Sequence, residues 1–287
     1  MNNNKPANTR VRYSKAEVIR TYDRHPLQEE TILNRIRKLK PSLEDLSEHD
    51  LAIDTLTAIT DQNHIGGVKC VYELADRACV NASSEVLDLG CGLGGSSRAL
   101  AWRFKCHVHG IDFSEKRCRE ATRLTRLVGL ESLVTYECAD IEVARPQHNR
   151  FDVLWGQSAW VQIADKRAML HNWLPALRAG GRVAFEDACV CLPVANATDR
   201  ALLSRLERQW KSYLITPQEW ERKLDSLSCS VILREDLTLA MTHHFLALLK
   251  SGGVGADDEE IESWRNAVRL AENGVLTYIR IVARNHS

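Results

Sequence analysis

From Val86 to Asp187 the apolar positions alternate between two habits. Short apolar runs at 85–89, 107–111, 133–137, 151–155 and 181–187 predict strands, and segments with apolar residues every three or four positions, at 96–104, 115–128 and 166–178, predict helices. Regular strand–helix alternation predicts a parallel sheet with helices on both faces, because each crossover helix must bury its apolar stripe against the sheet. Ahead of it, Val18, Ile19, Tyr22, Leu27, Ile32, Leu33, Ile36 and Leu39 recur at helical steps, broken near His25-Pro26. "PSLEDLSEHDLAI" predicts a further helix start, with Ser42 as cap and Asp45 in the first turn. Behind the alternation, "DRALLSRLERQW" and "TPQEWERKLDSL" are helical and "CSVILREDL" is strand-like. Two more helical runs flank the loop "SGGVGADDEE", and "GVLTYIRIVAR" is a closing strand. The chain thus divides into a polar, disordered 1–12, a helical lead-in at 13–80, a core at 81–188, a cap insertion with a sixth strand at 189–275, and a closing strand at 276–287.

Composition narrows the field without choosing a chemistry. Over 287 residues, 38 basic side chains balance 38 acidic ones, 44% are hydrophobic and 26% charged, which argues against a nucleic-acid or membrane-surface partner. "MNNNKPANTR" has no apolar core of a signal peptide, and no run reaches the roughly 18 apolar residues of a membrane span, so a cytoplasmic protein is expected. The nine cysteines are scattered and odd in number, with Cys91, Cys106, Cys138 and Cys189 in strand-like or glycine-rich runs. They are expected to be buried thiols and not disulfides. With no C-x-x-C and no H-E-x-x-H, no metal site is expected.

The candidate chemistry begins at "EVLDLGCGLGG", residues 85–95. Gly90-x-Gly92-x-x-Gly95 lets the chain turn tightly from strand to helix and brings backbone close to a ligand, a spacing shared by several nucleotide cofactors. Asp88 separates them, since a carboxylate beside the turn repels a pyrophosphate and suits an ammonium group. S-adenosylmethionine (SAM) carries an amino group and a sulfonium and no phosphate. Asp112 ends the next strand in "HVHGIDFS", where a carboxylate accepts both ribose hydroxyls, a feature common to NAD and SAM. Asp140 ends the third strand in "YECADIE", where it accepts from the adenine amine while Ile141 packs on the ring.

In these motifs the chain resembles the class I SAM-dependent methyltransferases, especially the small-molecule branch with sarcosine/dimethylglycine-type and ubiquinone/sterol-type enzymes. "VLDLGCGLGG", "GIDFS", "CADI", "FDVLWGQSAWVQI", "LPALRAGGRVAFED" and "LTYIRIVARN" are similar to its successive motifs across about residues 60–285. The resemblance implies an α/β fold: a Rossmann-like doubly wound sheet, mostly parallel with an antiparallel last strand, plus an N-terminal helical lid and a helical cap insertion. It implies that Gly90 and Gly92 pass the methionine part and Asp88 supports its amino end. Asp112 and Phe113 would take the ribose side, Asp140 and Ile141 the adenine, and Gln157 would lie beside the cofactor. "DQNHIGG" looks like the lid, which puts Gln62, His64 and Ile65 over the sulfonium. Many relatives have an aspartate where Ser158 stands and a histidine where Gln162 stands, which leaves a catalytic role for that segment open.

Methyl transfer from a sulfonium is a direct displacement with a neutral leaving group, so the enzyme must align the nucleophile and manage its proton. Candidates are His64, Trp160, Glu186, Asp187, Tyr213, His243 and His244. His64 and Glu186 are expected as catalytic residues, and Trp160, Tyr213, His243 and His244 as substrate contacts, although His243-His244 equally suits a helix start. Glu186 and Asp187 are neighbours on a strand and point to opposite faces, so only one meets the cofactor. Where amino-methylating DNA and many RNA enzymes have N/D-P-P-Y/F the chain reads "GQSA", and "EKRCREATRLTRL" has the spacing of a solvated helix face. The expected function is SAM-dependent methylation of a small metabolite, at nitrogen or carbon with oxygen open, releasing S-adenosylhomocysteine. The oligomeric state stays open, with a homodimer as the candidate assembly. Alternatives are an isoprenoid- or quinone-like acceptor, an NAD-dependent oxidoreductase, and a non-catalytic protein that binds SAM or a partner.

Overall fold

The computed structural model describes residues 12–40, 42–53, 60–252 and 255–287. Its centre is β1 (Glu85–Leu89), whose neighbours in sequence point to opposite faces that are both covered. Leu87 and Leu89 join Leu154, Val183 and Phe185 on one side, and Val86 joins Val108, Val153 and Ala184 on the other. This double burial explains why the strands read as apolar runs and not as alternation.

In chain order the core continues with α5 (Gly95–Phe104), β2 (His107–Asp112), α6 (Glu115–Leu127), β3 (Val134–Cys138), β4 (Phe151–Gln157), α7 (Lys166–Trp173) and β5 (Leu177–Val190). Ahead of it lie α1 (Lys15–Arg24), α2 (Glu29–Leu39), α3 (Glu48–Ala52) and α4 (Gly67–Arg77). Behind it come α8 (Ala197–Trp210), α9 (Pro217–Asp225), β6 (Cys229–Asp236), α10 (Thr238–Lys250), α11 (Asp258–Glu272) and β7 (Leu276–Asn285). The seven strands lie in the order β3-β2-β1-β4-β5-β7-β6. The first five are parallel, and β7 runs antiparallel to both β5 and β6. The mostly parallel, doubly wound sheet with an antiparallel last strand is therefore the one expected. Strand order reverses between β1 and β4, and in open α/β sheets the crevice outside such a point is where ligands bind.

Two helical groups flank that crevice. Ile32, Ile36 and Leu51 of α2 and α3 pack on Leu93 of the glycine turn and Leu124 of α6. On the far side, Leu206 of α8, Met241 of α10 and Trp264 of α11 pack with Leu276 and Tyr278 of β7.

Several boundaries differ from the sequence reading. The helix expected at 166–178 ends at Trp173, because Leu174–Ala176, with Pro175 in the first positions, tightens into a 3₁₀ turn and β5 starts at Leu177. Ser42 does not cap a helix; its hydroxyl accepts from the Glu44 N–H, and Asp45 lies at φ 58°. The cap there is Ser47, paired with Asp50 in a reciprocal box. All nine cysteines are free thiols, but Cys138, expected inside, is exposed at the end of β3. The segment read as disordered, 1–12, lies outside the described residues except for Arg12. Among the described residues no helix is long and apolar enough to cross a membrane, and no metal-binding cluster occurs.

Candidate active site

The turn after β1 is held by Gly90 and Cys91, whose N–H groups donate to the Ile111 carbonyl at 2.8 and 3.1 Å. Gly92 sits at φ 54°, in the left-handed region, and a Cβ there would enter open space. Gly95 is required by crowding: its Cβ would lie 2.2 Å from the Asp61 carbonyl oxygen. Across the turn, the two oxygens of Asp112 accept the N–H groups of Gly92 (3.0 Å) and Ser114 (2.8 Å). Burial raises the Asp112 carboxyl, and those two N–H groups hold it back.

Asp88, Gly90, Gly92, Asp112, Phe113, Asp140, Ile141 and Gln157 line one cleft of about 110 Å³. The sequence candidates for this cleft thus converge on one space. Asp140 accepts the Glu142 N–H at 3.0 Å and forms an ion pair with Lys15 of α1. The Gln157 carbonyl accepts from Ser96 at 2.7 Å, and its amide donates to Glu186 at 3.0 Å.

Asp88 accepts from the Ser97 hydroxyl at 2.6 Å, and burial pushes it up to about 7, with Asp112 adding to the rise. An aspartate in the unfolded chain titrates near ~3.9, so between these values the folded protein keeps a proton that the unfolded chain releases. The stabilisation is complete below the unfolded value and is lost as pH rises through about 7. We expect this group to lower the unfolding free energy by up to about 1.4 kcal/mol per pH unit between roughly pH 5 and 7, and Asp88→Asn to remove that slope. Urea unfolding of the ligand-free protein at several pH values reads it directly; an unchanged slope in the variant would assign the titration elsewhere.

The segment 61–65 is fastened over the glycine turn by fully buried charges. Arg98 of α5 pairs with Glu48 (3.0 Å) and Asp61 (2.9 Å) and donates to the Leu93 carbonyl at 2.7 Å. Gln62 donates to Asp61 at 2.6 Å, and the Gln62 carbonyl lies 2.9 Å from His64 Nε2. His64 Nδ1 faces the Ile65 carbonyl at 3.1 Å, so both ring nitrogens meet oxygens. Burial lowers this imidazole to about 4. Gln62 and Ile65 border a second space and not the cleft, whereas His64 borders both.

That second space is a cavity of about 460 Å³ between α1, the end of the sheet and the helices of the insertion. Cleft and cavity share Tyr22, Asn63, His64, Ser158 and Gln162 as walls. Ser158 follows β4 at φ 52°, its hydroxyl 2.7 Å from that of Tyr278 and its N–H on the Glu186 carbonyl at 2.9 Å. A non-glycine residue in the left-handed region is a strained conformation of the kind that gathers at ligand sites. Burial pushes the Tyr22 hydroxyl up to about 12, and Gln162 hydrogen-bonds it.

The structure redraws four of the expected acceptor-side positions. Glu186 turns away from the cavity: its carboxylate takes Arg280 Nε at 2.7 Å, and Arg280 also binds Glu235 and Glu73. Its strand neighbour Asp187 borders the cavity instead. Trp160 is core, packed between Phe185 and Trp220 with its indole N–H on the Leu89 carbonyl. Tyr213 is buried with its hydroxyl accepting the Tyr13 N–H at 2.7 Å, and it lines neither space. His243 and His244 are not at a helix start but inside α10, where His243 is exposed and His244 borders the cavity.

The sequence reading passed over Tyr22, Asn63 and the aromatic walls Trp210, Phe245 and Trp264 as site residues. Tyr22 occupies an apolar position of an amphipathic helix, and nothing in that pattern separates a helix packed on a core from one packed over a cavity. The signal that was present is the departure at Ser158 and Gln162, both of which stand at the shared wall.

Residues 86–181 match the profile of a methyltransferase domain. Phosphoethanolamine N-methyltransferase 1 of Arabidopsis thaliana is 30% identical over 185 residues, 64% of this chain and 36% of that protein. The glycine/sarcosine/dimethylglycine N-methyltransferase of Actinopolyspora halophila is 29% identical over 184 residues, 63% of this chain and 32% of that protein. The chain thus spans about a third of the length of these curated relatives. In fold, it is similar to phosphoethanolamine N-methyltransferase 2 of Haemonchus contortus, solved with phosphomonomethylethanolamine and S-adenosylhomocysteine. The TM-score is 0.73 at 16% identity, covering 96% of this chain and 61% of that one.

Proposed function

We propose that the protein, whose residues 86–181 match the profile of a methyltransferase domain, transfers a methyl group from SAM to a nitrogen of a small-molecule acceptor. The observation that carries this reading is the shared wall: a cleft lined by strand-end carboxylates opens beside a cavity across Tyr22, Asn63, His64, Ser158 and Gln162. The donor set fits SAM. Asp112 retains lone pairs for ribose hydroxyls, Asp88 complements an amino group, and Asp140 with Ile141 and Phe113 offers an acceptor and apolar surface for adenine. A pyrophosphate in the same place would meet the Asp88 carboxylate. With α1 across it the cleft measures about 110 Å³, against ≈ 300–1,000 Å³ for small-molecule pockets. Room for SAM would come from movement of α1, whose Lys15, Val18 and Tyr22 line the cleft, with the Lys15–Asp140 pair opening.

SAM supplies a methyl group on a sulfonium, whose sulfur departs neutral. The chain's own contribution is then alignment and exclusion of water by the shared wall. His64 acts by position: its ring is held between the Ile65 carbonyl and the Gln62 side chain, and burial lowers it to about 4, which makes the neutral imidazole a weak base. A nitrogen nucleophile suits such a site, since it needs only alignment and the loss of a proton. The proposal includes a cytoplasmic setting, with a homodimer as the larger assembly.

Calorimetric titration with SAM, S-adenosylhomocysteine and NADH tests the reading. Micromolar binding of both adenosyl ligands with no heat from NADH is expected. Binding of NADH alone would replace the reading with a dinucleotide one.

A further inference from the structure

Asp187 is 1% exposed and borders the acceptor cavity; its carboxylate takes the Ala188 N–H on Oδ1 at 3.2 Å and is steadied by the Val161 backbone, while Oδ2 has no hydrogen-bond partner of ordinary geometry. A buried carboxylate oxygen left unpaired is costly and occurs where a ligand completes the site. Burial raises this carboxyl, and the Lys166 ammonium behind it works the other way. Lys166 itself is held by the carbonyls of Val161, Ile163 and Tyr213. Asp187 also stands next to the shared wall, one residue beyond the Glu186 carbonyl that receives the Ser158 N–H.

The rest of the cavity has matching chemistry. Trp210 and Phe245 stand with ring centroids 5.9 Å apart, and Trp264 borders the same space. Aromatic faces attract cations electrostatically as well as burying apolar surface. Among the described side chains at this cavity, Glu17, Asp257 and Glu259 accompany Asp187, with Glu260 raised to about 7 by burial and Asp257, and the full cations are Arg20 and Lys211. Lys211 lies over the Tyr13 ring at 5.3 Å, and Glu260 is met by His25 at 3.2 Å. An acceptor bearing a phosphate or carboxylate would thus bring its anion into a predominantly acidic space.

We infer that the acceptor is a cationic amine, a primary or secondary ammonium on an apolar or aromatic body without an anionic group, and that the Asp187 carboxylate accepts its N–H at Oδ2 and takes that proton, freeing the nitrogen lone pair that forms the N–CH3 bond as the S–CH3 bond breaks and S-adenosylhomocysteine leaves neutral at sulfur. This deepens the methyl-transfer reading and rests on it. It also separates this chain's acceptor from the zwitterionic or phosphorylated amines in the names of its relatives.

The test uses the full chain loaded with S-adenosylhomocysteine, titrated with three amines: tryptamine, 3-phenylpropylamine and octylamine. Each is paired with its neutral alcohol, and tryptamine also with tryptophan, which adds a carboxylate. We expect at least one amine to bind at least about tenfold more tightly than its alcohol, and tryptophan more weakly than tryptamine. Asp187→Asn should lower amine affinity at least about tenfold while leaving S-adenosylhomocysteine affinity unchanged. The inference is overturned if no amine binds, if alcohols or tryptophan bind as tightly, or if the variant keeps full amine affinity. The wild-type comparison stands even if the variant does not fold. Loss of S-adenosylhomocysteine binding by the wild-type protein would instead sink the methyl-transfer reading, so the two failures are told apart in one experiment.

Discussion

Arg98→Met is expected to lower the unfolding free energy by about 3–5 kcal/mol, because it removes one partner from a fully buried ion network and leaves the others uncompensated. Glu48 and Asp61 are the abandoned carboxylates, and neither these nor Arg98 exposes its charged group to water. The methionine keeps much of the volume, so the loss reads charge and not a cavity. Two consequences distinguish the network from ordinary packing. Asp61 is joined through Gln62 to His64, so the variant should also weaken S-adenosylhomocysteine binding by loosening the segment over the glycine turn. Adding Glu48→Gln should recover part of the stability, since burial and the neighbouring Asp61 already disfavour a charge at Glu48 and only Arg98 opposes them. Urea unfolding followed by circular dichroism measures the stabilities and calorimetric titration the affinity, and an unchanged midpoint in the single variant would show that water already reaches these groups.

The second large effect concerns Asp112. Asp112→Ala should weaken S-adenosylhomocysteine binding at least about 100-fold, since hydrogen bonds to a charged acceptor contribute about 1.5–3 kcal/mol each and two ribose hydroxyls lose theirs. The Gly92 and Ser114 N–H groups also lose their acceptor, so the turn itself is released. Asp112→Asn separates the two roles: its amide oxygen can still accept from one backbone N–H, but the charge is gone. A calorimetric titration that finds alanine and wild type alike would remove Asp112 from the cofactor site.

The core was legible because its signals are local. β1 needs only an apolar run, the turn needs glycines at 90, 92 and 95, and Asp88, Asp112 and Asp140 mark strand ends by their place in the sequence alone. Period and turn chemistry act over a few residues, so they survive without knowledge of what packs where. Even here the local signal had limits. Pro175 shortened a helix that its apolar spacing would have extended, and Ser47 outcompeted Ser42 as a cap because Asp50 completes its box.

Side-chain alternation places Glu186 and Asp187 on opposite faces of β5. What chose between them is Arg280, on a strand 94 positions away, which neutralises Glu186 and leaves Asp187 to the cavity. Likewise the wall between cleft and cavity gathers Tyr22 from α1, Asn63 and His64 from the lead-in, and Ser158 and Gln162 from beyond β4. Local pattern alone was enough for the succession of chemical groups along the chain: a glycine turn and three carboxylates at or near strand ends. Only the tertiary structure decided which side chains meet around the acceptor, because that depends on how distant helices pack and on which buried charges find partners, neither of which has a period along the chain.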